Sequence, residues 1–98
     1  MTIKTADIEI TAQPESMAVA QNATVTFTVE AEGDNLKYRW YRSNDLGQTW
    51  TETWLTGYNT NELSFVATAA RAGYVYKCVI TSGVTTVETG PASVVFVG

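Results

Sequence analysis

The segment ATVTFTVEAE, residues 23–32, alternates apolar and polar side chains without interruption. Its odd-numbered residues are alanine, valine or phenylalanine, and its even-numbered residues are threonine or glutamate. Such a period of two places the two sets on opposite faces of a β-strand. Ten residues of this pattern predict a half-buried strand of an antiparallel sheet, with Phe27 on the buried face.

Strand patterns also occur on both sides of this segment. A first strand, DIEIT, is interrupted by Pro14, which lacks the amide that a central strand needs and therefore indicates a sheet edge. TAARAG, residues 68–73, predicts a short helical or 3₁₀ crossing that ends at Gly73. The other predicted strands are residues 17–19, 36–42, 62–65, 74–82 and 92–97. Seven or eight strands separated by turns, with no long helical pattern, predict an all-β sandwich.

Length and composition set limits on the class of protein. A chain of 98 residues predicts one domain, which we place at residues 8–97 with residues 1–7 as an N-terminal extension or linker. The net charge of −4 argues against nucleic acid as a partner, and we interpret Lys37, Arg39 and Arg42 as a solvated strand face. No apolar run approaches the roughly 20 residues that membrane insertion requires.

The sequence also argues against catalysis and metal binding. It contains no histidine, the usual general base, and one cysteine with no histidine does not make a closed zinc site. We therefore expect no enzyme activity, no cofactor and no metal site. Cys78 has no second cysteine with which to form an intrachain disulfide.

Three features together resemble the immunoglobulin fold, and more narrowly the bacterial immunoglobulin-like domains of tandem surface proteins. They are Trp40 within YRWYR, the Tyr76–Cys78 pair within YKC, and the run from the tryptophan-bearing strand to GYVYKC. The resemblance implies a Greek-key sandwich in which Trp40 is a core residue and Tyr76 forms a tyrosine corner. Phe27 stands where the family's early cysteine would be, so we expect no disulfide.

The resemblance thus implies a core of Phe27, Trp40, Tyr76 and Cys78. Cys78 is expected to pack as a small buried hydrophobe, and the alternative is a reactive or interchain thiol.

The octapeptide SNDLGQTW, residues 43–50, resembles the Asp-box hairpin of sialidase propellers. Its parts are Ser43, Asp45, Gly47, Thr49 and Trp50. A propeller needs at least four blades of four strands, and this chain has room for about two. We therefore interpret the motif as a stabilised turn: the aspartate accepts amide hydrogen bonds, the glycine adopts positive φ, and the tryptophan covers the hairpin.

Three aromatic residues fall outside the predicted core alternation: Tyr41, Trp54 and Tyr58. Exposed tryptophan and tyrosine are common at binding surfaces, and flat rings stack on sugars. These residues are therefore candidates for ligand binding. The alternative is that Trp54 and Tyr58 close one edge of the sandwich.

The resemblance implies a non-catalytic module of a larger extracellular protein, on a bacterial cell surface or a phage virion. Its expected role is that of a structural spacer or display domain, with neighbouring domains of the same polypeptide as partners. One alternative is an adhesion module that binds a cell-surface glycan or a host protein. Another is a decoration or tail domain of a phage virion.

Overall fold

The structure, a computed structural model, describes residues 8–83 and 85–97. The predicted extension at residues 1–7 lies outside the described residues. The strands are β1 (Glu9–Ala12), β2 (Met17–Val19), β3 (Thr24–Thr28), β4 (Glu30–Glu32), β5 (Lys37–Ser43), β6 (Thr51–Glu52), β7 (Glu62–Val66), β8 (Val75–Ser82), β9 (Thr85–Glu88) and β10 (Ala92–Phe96). A 3₁₀ turn at Arg71–Gly73 precedes β8, as predicted. Among residues 8–83 and 85–97, no helix is long and apolar enough to cross a membrane.

The ten strands of the described ranges exceed the predicted seven or eight for identifiable reasons. The alternating segment 23–32 is divided at Val29. The Val29 amide donates to the carbonyl oxygen of Asn61 at 3.0 Å, and the Val29 carbonyl accepts from the side-chain amide of Asn61 at 3.3 Å. Strands β6 and β9 are short, and the sequence prediction missed both. They form because neighbouring strands offer free edges, not because their own residues alternate strongly.

The strands pack in two layers. One layer pairs β1 with β4 and β3 with β7, and it is continuous because β4 follows β3 along the chain. The other has the order β2-β10-β8-β5-β6, with β9 also paired to β8. Among the described strands, every pair is antiparallel except β2 with β10, which run parallel. The chain crosses between layers from β1 to β2, from β2 to β3, from β4 to β5, from β6 to β7 and from β7 to β8.

The first predicted strand passes from one layer to the other at Pro14. Strand β1 pairs in the smaller layer and β2 in the larger one. Side chains of the crossing segment hold it in place: Gln13 Oε1 accepts from the Gly90 amide at 2.9 Å, and Ser16 Oγ accepts from the Ser93 amide at 3.0 Å. Both halves are edge strands, which suits a proline that has no amide to donate.

The inner faces of the two layers form a core with aromatic side chains at its centre. Phe27, Trp40, Tyr76 and Cys78 are each at most 1% exposed. The Phe27 ring centroid lies 6.5 Å from that of Trp40 and 5.7 Å from that of Tyr76. The Trp40 indole Nε1 donates to the carbonyl oxygen of Thr60 at 2.6 Å, so its one polar atom is satisfied. Burial of each large apolar side chain contributes about 1.5–3 kcal/mol.

Cys78 lies directly opposite Trp40 in the β5–β8 ladder. Burial raises the pKa of its thiol to about 12, so the thiol stays protonated at neutral pH. Since the thiolate is the nucleophilic form, this environment favours an inert packing role over a reactive thiol.

The tyrosine corner that the resemblance implies is absent from the described residues. The Tyr76 hydroxyl is buried and has no hydrogen-bond partner among them. The upstream backbone bonds to itself instead: the Arg71 amide donates to the carbonyl of Thr68, and the Tyr74 amide donates to the carbonyl of Arg71, both at 3.0 Å. The Arg71 carbonyl of the 3₁₀ turn therefore already accepts a backbone hydrogen bond.

The structure resolves the register of the last strand, which four consecutive apolar residues left open in the sequence. Ala92 and Val94 face the core and are buried. Val95 and Val97 are each 57% exposed. This register is set by the parallel pairing with β2, in which Val94 lies opposite Met17 and Phe96 lies opposite Val19.

Strand registers place the two ends of the described chain at opposite poles of the sandwich. Glu9, at the start of β1, pairs with Glu32, at the end of β4. Phe96, at the end of β10, pairs with Val19, which the chain leaves through a tight turn into β3. The residues from 24 to 32 span about 26 Å at roughly 3.3 Å per residue. Entry and exit of the chain are separated by about that length.

Candidate functional site

The hairpin between β5 and β6 has the internal bonds that its motif predicts. Asp45 Oδ1 accepts from the Thr49 amide at 2.9 Å, and Asp45 Oδ2 accepts from the Thr49 hydroxyl at 2.6 Å. The Ser43 hydroxyl donates to Asp45 Oδ1 at 2.6 Å and accepts from the Gly47 amide at 2.8 Å. These bonds, above all those from Ser43 and Thr49, lower the pKa of Asp45 to about 2.

Gly47 has φ +91°, and a side chain at this position would lie 3.4 Å from the Trp50 ring. Trp50 thus covers the hairpin, and its ring centroid lies 4.6 Å from Lys77 Nζ on β8. All five motif residues take part in turn geometry. The hairpin therefore serves to fix the position of Trp50 beside the outer face of the larger sheet.

An arginine–aromatic cluster, defined by Arg39, Trp54 and Tyr58, occupies this outer face. The Arg39 guanidinium carbon lies 4.4 Å from the ring centroid of Trp54 and 4.4 Å from that of Tyr58. The two rings meet edge to face with centroids 4.9 Å apart. Arg39 Nε also contacts Glu52 Oε2 at 3.4 Å. Cation–π attraction of this kind orders both the arginine and the rings.

Backbone bonds position the two rings beside β5. The Thr53 amide donates to the carbonyl oxygen of Trp40 at 3.3 Å, and the Trp40 amide donates to that of Tyr58 at 2.8 Å. The segment after β6 therefore follows the edge of β5. Its side chains reach Arg39, which precedes Trp40 and faces the opposite side of the sheet.

Both terminal nitrogens of Arg39 are buried and have no hydrogen-bond partner among the described residues. The side chain is only 19% exposed. The interpretation of Arg39 as part of a solvated strand face is therefore wrong. Two aromatic rings from a distant part of the sequence cover the guanidinium, and strand periodicity alone gives no sign of them.

The three predicted binding aromatics do not form one unit. The rings of Trp54 and Tyr58 are in contact with each other. Tyr41 lies on the outer face of β5, where the strand register places it between Glu52 of β6 and Lys77 of β8. Trp54 is 71% exposed, while Tyr58 is half-buried and packs against the core. Tyr58 thus closes the sheet edge, as the alternative interpretation proposes, and Trp54 remains available at the surface.

The sequence gives little indication of the partners that the charged residues near the surface aromatics contact. Lys77 Nζ contacts Glu88 Oε1 at 2.7 Å beneath Trp50, and Glu52 contacts Arg39. Arg42, three residues along β5, lies over the Tyr74 ring at 4.9 Å. The sequence offers only a weak indication of these contacts. Basic residues on β5 are followed, many residues later, by aromatic residues that do not belong to the strand alternation. In the described residues, no cluster of three or more metal-ligating acidic or cysteine side chains occurs.

No family model matches the chain, and no curated protein matches it in sequence. Solved structures do match. Tandem Ig repeats of Dlar align with TM-score 0.68 and 19% identity over 92% of this chain and 48% of that chain. A chimeric titin Z1Z2, functionalized with an exogenous peptide from decorin, aligns with TM-score 0.65 and 21% identity over 92% of this chain and 93% of that chain.

Dpr2 Ig1-Ig2, in complex with DIP-Theta Ig1-Ig3, aligns with TM-score 0.67 and 19% identity over 92% of this chain and 31% of that chain. This chain therefore spans half or less of the Dlar and Dpr2 chains that it matches. The likeness establishes the fold: the chain is an immunoglobulin-like β-sandwich without a disulfide. In the matched structures such domains stand in tandem or in protein complexes.

Proposed function

We propose that this chain is a non-catalytic spacer or display module of a larger extracellular protein, bacterial or phage. Its neighbours would be other domains of the same polypeptide. The observation that carries this proposal is the separation of the two chain ends. Ile8 and Val97 leave the sandwich at opposite poles, about 26 Å apart along β3 and β4. Modules linked in this way extend in series rather than folding back on one another.

The composition of the core supports a mechanical role. A continuous aromatic centre ties both layers together without a disulfide. The absence of histidine and the buried, protonated Cys78 thiol support the non-catalytic assignment. The likeness to the tandem Ig repeats of Dlar supports placement beside further domains.

Small-angle X-ray scattering of one, two and three copies joined by short linkers tests the spacer proposal. We expect the maximum dimension to grow by roughly 30 Å per copy, since each module adds the distance between its two ends and a short linker. A second design, with the order of strands permuted so that both ends lie at one pole, provides the control. Equal dimensions for the two designs would contradict the proposal.

The exposure of Trp54 favours a second candidate function, adhesion to a cell-surface glycan or a host protein. Trp54 is 71% exposed although its ring is held by Arg39 and Tyr58. An ordered, exposed indole suits stacking on a sugar or on a partner's apolar side chain, because little side-chain entropy is lost on contact.

Titration with a panel of surface glycans, followed by tryptophan fluorescence, tests the adhesion function. We expect saturable changes that Trp54→Ala abolishes. Leu46→Ala is the matched control, because Leu46 is 86% exposed on the hairpin and lies outside the arginine–aromatic cluster. A flat titration across the panel, or equal loss in both variants, would contradict a glycan site at Trp54.

The virion alternative, a phage decoration or tail domain, is proposed on the same fold. It differs from the cell-surface proposal only in the domains that adjoin this chain. Capsid or tail sequences in the same reading frame would favour the virion, and a cell-wall anchor would favour the bacterial surface.

A further inference from the structure

A cavity of about 480 Å³ opens at the end of the sandwich where β8 begins. Arg42 from β5, Arg71 from the 3₁₀ turn and Tyr76 from β8 line it, and Trp54 and Tyr74 are also part of its wall. Its volume lies within the roughly 300–1,000 Å³ of small-molecule sites. The spacer function makes no use of this cavity.

The two arginines are held in place by contacts that leave donors available. The Arg42 guanidinium lies 4.9 Å from the Tyr74 ring centroid. One terminal nitrogen of Arg71 donates to the carbonyl oxygen of Val66 at 2.9 Å. A guanidinium carries five N–H donors, so each side chain retains several. Ordered arginines with free donors are suited to binding a planar carboxylate.

The hydroxyl of Tyr76 supplies a third donor. The residue is fully buried, and within the described residues its hydroxyl has no hydrogen-bond partner. Burial raises its pKa to about 12, and the charges of Arg71 and Arg42 oppose that rise. The hydroxyl therefore remains protonated and lies in the field of both guanidinium groups. A buried hydroxyl without a partner is costly unless a ligand or solvent satisfies it.

The charge balance of the cavity is opposite to that of the chain. The chain as a whole carries −4, whereas the cavity wall contains two arginines and, among the described residues, one carboxylate, Glu52. Glu52 is engaged by Arg39 Nε at 3.4 Å on the outer face. The cavity therefore favours an anion.

We propose that this cavity binds a carboxylate-bearing sugar. Arg42, Arg71 and the Tyr76 hydroxyl hold the carboxylate, and the sugar ring lies against the aromatic wall formed by Trp54 and Tyr74. The hydroxyls of Thr53 and Thr68, which also line the cavity, suit the hydroxyls of such a ring. This site is distinct from the spacer role, and it deepens the adhesion candidate by naming a ligand class.

Titration of the isotope-labelled chain with methyl glucuronide, followed by amide chemical shifts, tests the proposal. Methyl glucoside is the matched ligand, because it lacks only the carboxylate. We expect saturable shifts at residues of the cavity with the glucuronide, and binding at least about tenfold weaker with the glucoside, since it loses a charge-assisted contact. No shifts with the glucuronide, or equal binding of both ligands, would overturn the proposal.

Two variants test the donors. Tyr76→Phe removes only the hydroxyl, and Arg42→Gln removes one guanidinium; each is expected to weaken glucuronide binding by about tenfold. Lys37→Gln, which removes a positive charge from an exposed position at the start of β5, is the control and is expected to leave binding unchanged. Unchanged affinity in both cavity variants would overturn the site, and circular dichroism of each variant checks the fold.

A further ligand and a further variant distinguish this proposal from a general carboxylate site and from a site on the outer face. Equal binding of N-acetylglutamate would show a general carboxylate site and overturn the sugar assignment. Loss of glucuronide binding on Tyr58→Ala but not on Tyr76→Phe would assign it to the outer face instead. Neither result affects the scattering test of the spacer function. The spacer proposal and the sugar-binding proposal can therefore be contradicted independently of each other.

Discussion

Trp40 and Trp54 show how differently one fold treats the same side chain. Trp40 is fully buried, its indole nitrogen donates to a carbonyl, and its ring stacks near Phe27. Trp54 is 71% exposed, and its ring is held by a guanidinium. The first ring stabilises the sandwich through burial, and the second is ordered without being buried. The inner face of the larger sheet therefore supplies stability, while the outer face is available for contact with other molecules.

The largest expected effect is on the inner face. Trp40→Ala removes the central ring and its hydrogen bond, so we expect the free energy of unfolding to fall by about 3–5 kcal/mol. Urea denaturation followed by circular dichroism measures it. Trp54→Ala is the matched variant, and an equal loss in both would contradict the distinction between the two faces.

Cys78 tests the polarity of the core at a smaller scale. Cys78→Ser places a hydroxyl where the thiol is fully buried, and we expect a loss of about 1–3 kcal/mol in the free energy of unfolding. Cys78→Ala controls for the lost volume. The native thiol should react with a thiol reagent only after unfolding, because burial raises its pKa. Rapid labelling of the folded chain would contradict its placement.

On the outer face, Trp54→Ala should change the free energy of unfolding by less than about 1 kcal/mol, since surface substitutions cost little. It should nevertheless change the environment of Arg39, which loses one of its two rings. The side-chain resonance of Arg39 in a labelled sample reports this. An unchanged resonance would mean that the ring does not contact the guanidinium in solution.

The smallest effect concerns the exposed hairpin. Hydrogen bonds in the folded chain lower the pKa of Asp45 to about 2, below its value of 3.8 when unperturbed. The Asp45 carboxylate therefore stabilises the folded chain above its unfolded pKa, and this stabilisation is lost as the pH falls through about 2. Between these two values, unfolding takes up as much as about one proton at this carboxyl group. Asp45→Asn should remove this pH dependence. A wild-type slope in the variant would assign the effect to another carboxyl group.

Much of the core was predictable, because strand periodicity groups these side chains on common faces and the family resemblance implies which faces are buried. Phe27, Trp40, Tyr76 and Cys78 lie at alternating positions of long strands, and all four are buried. The hairpin bonds of Asp45 were predictable as well, because residues within one turn are brought together by local geometry. The core positions follow from alternation along single strands, and the Asp45 hydrogen bonds join residues within one turn.

The remaining features depend on which distant segments become neighbours. The split at Val29, the crossing of the first strand at Pro14 and the parallel pairing of β2 with β10 depend on the backbone partners that distant segments offer. The covering of Arg39 by Trp54 and Tyr58, and the missing partner of the Tyr76 hydroxyl among the described residues, arise in the same way.

The sequence by itself determined the all-β class, the identity of the core side chains and the hairpin, because alternation and turn chemistry act over a few residues. Only the tertiary structure decided the layer of each edge strand, the register of β10 and the surroundings of Arg39, Arg42 and Arg71. Those outcomes depend on contacts between residues far apart in the chain, and no local pattern specifies them.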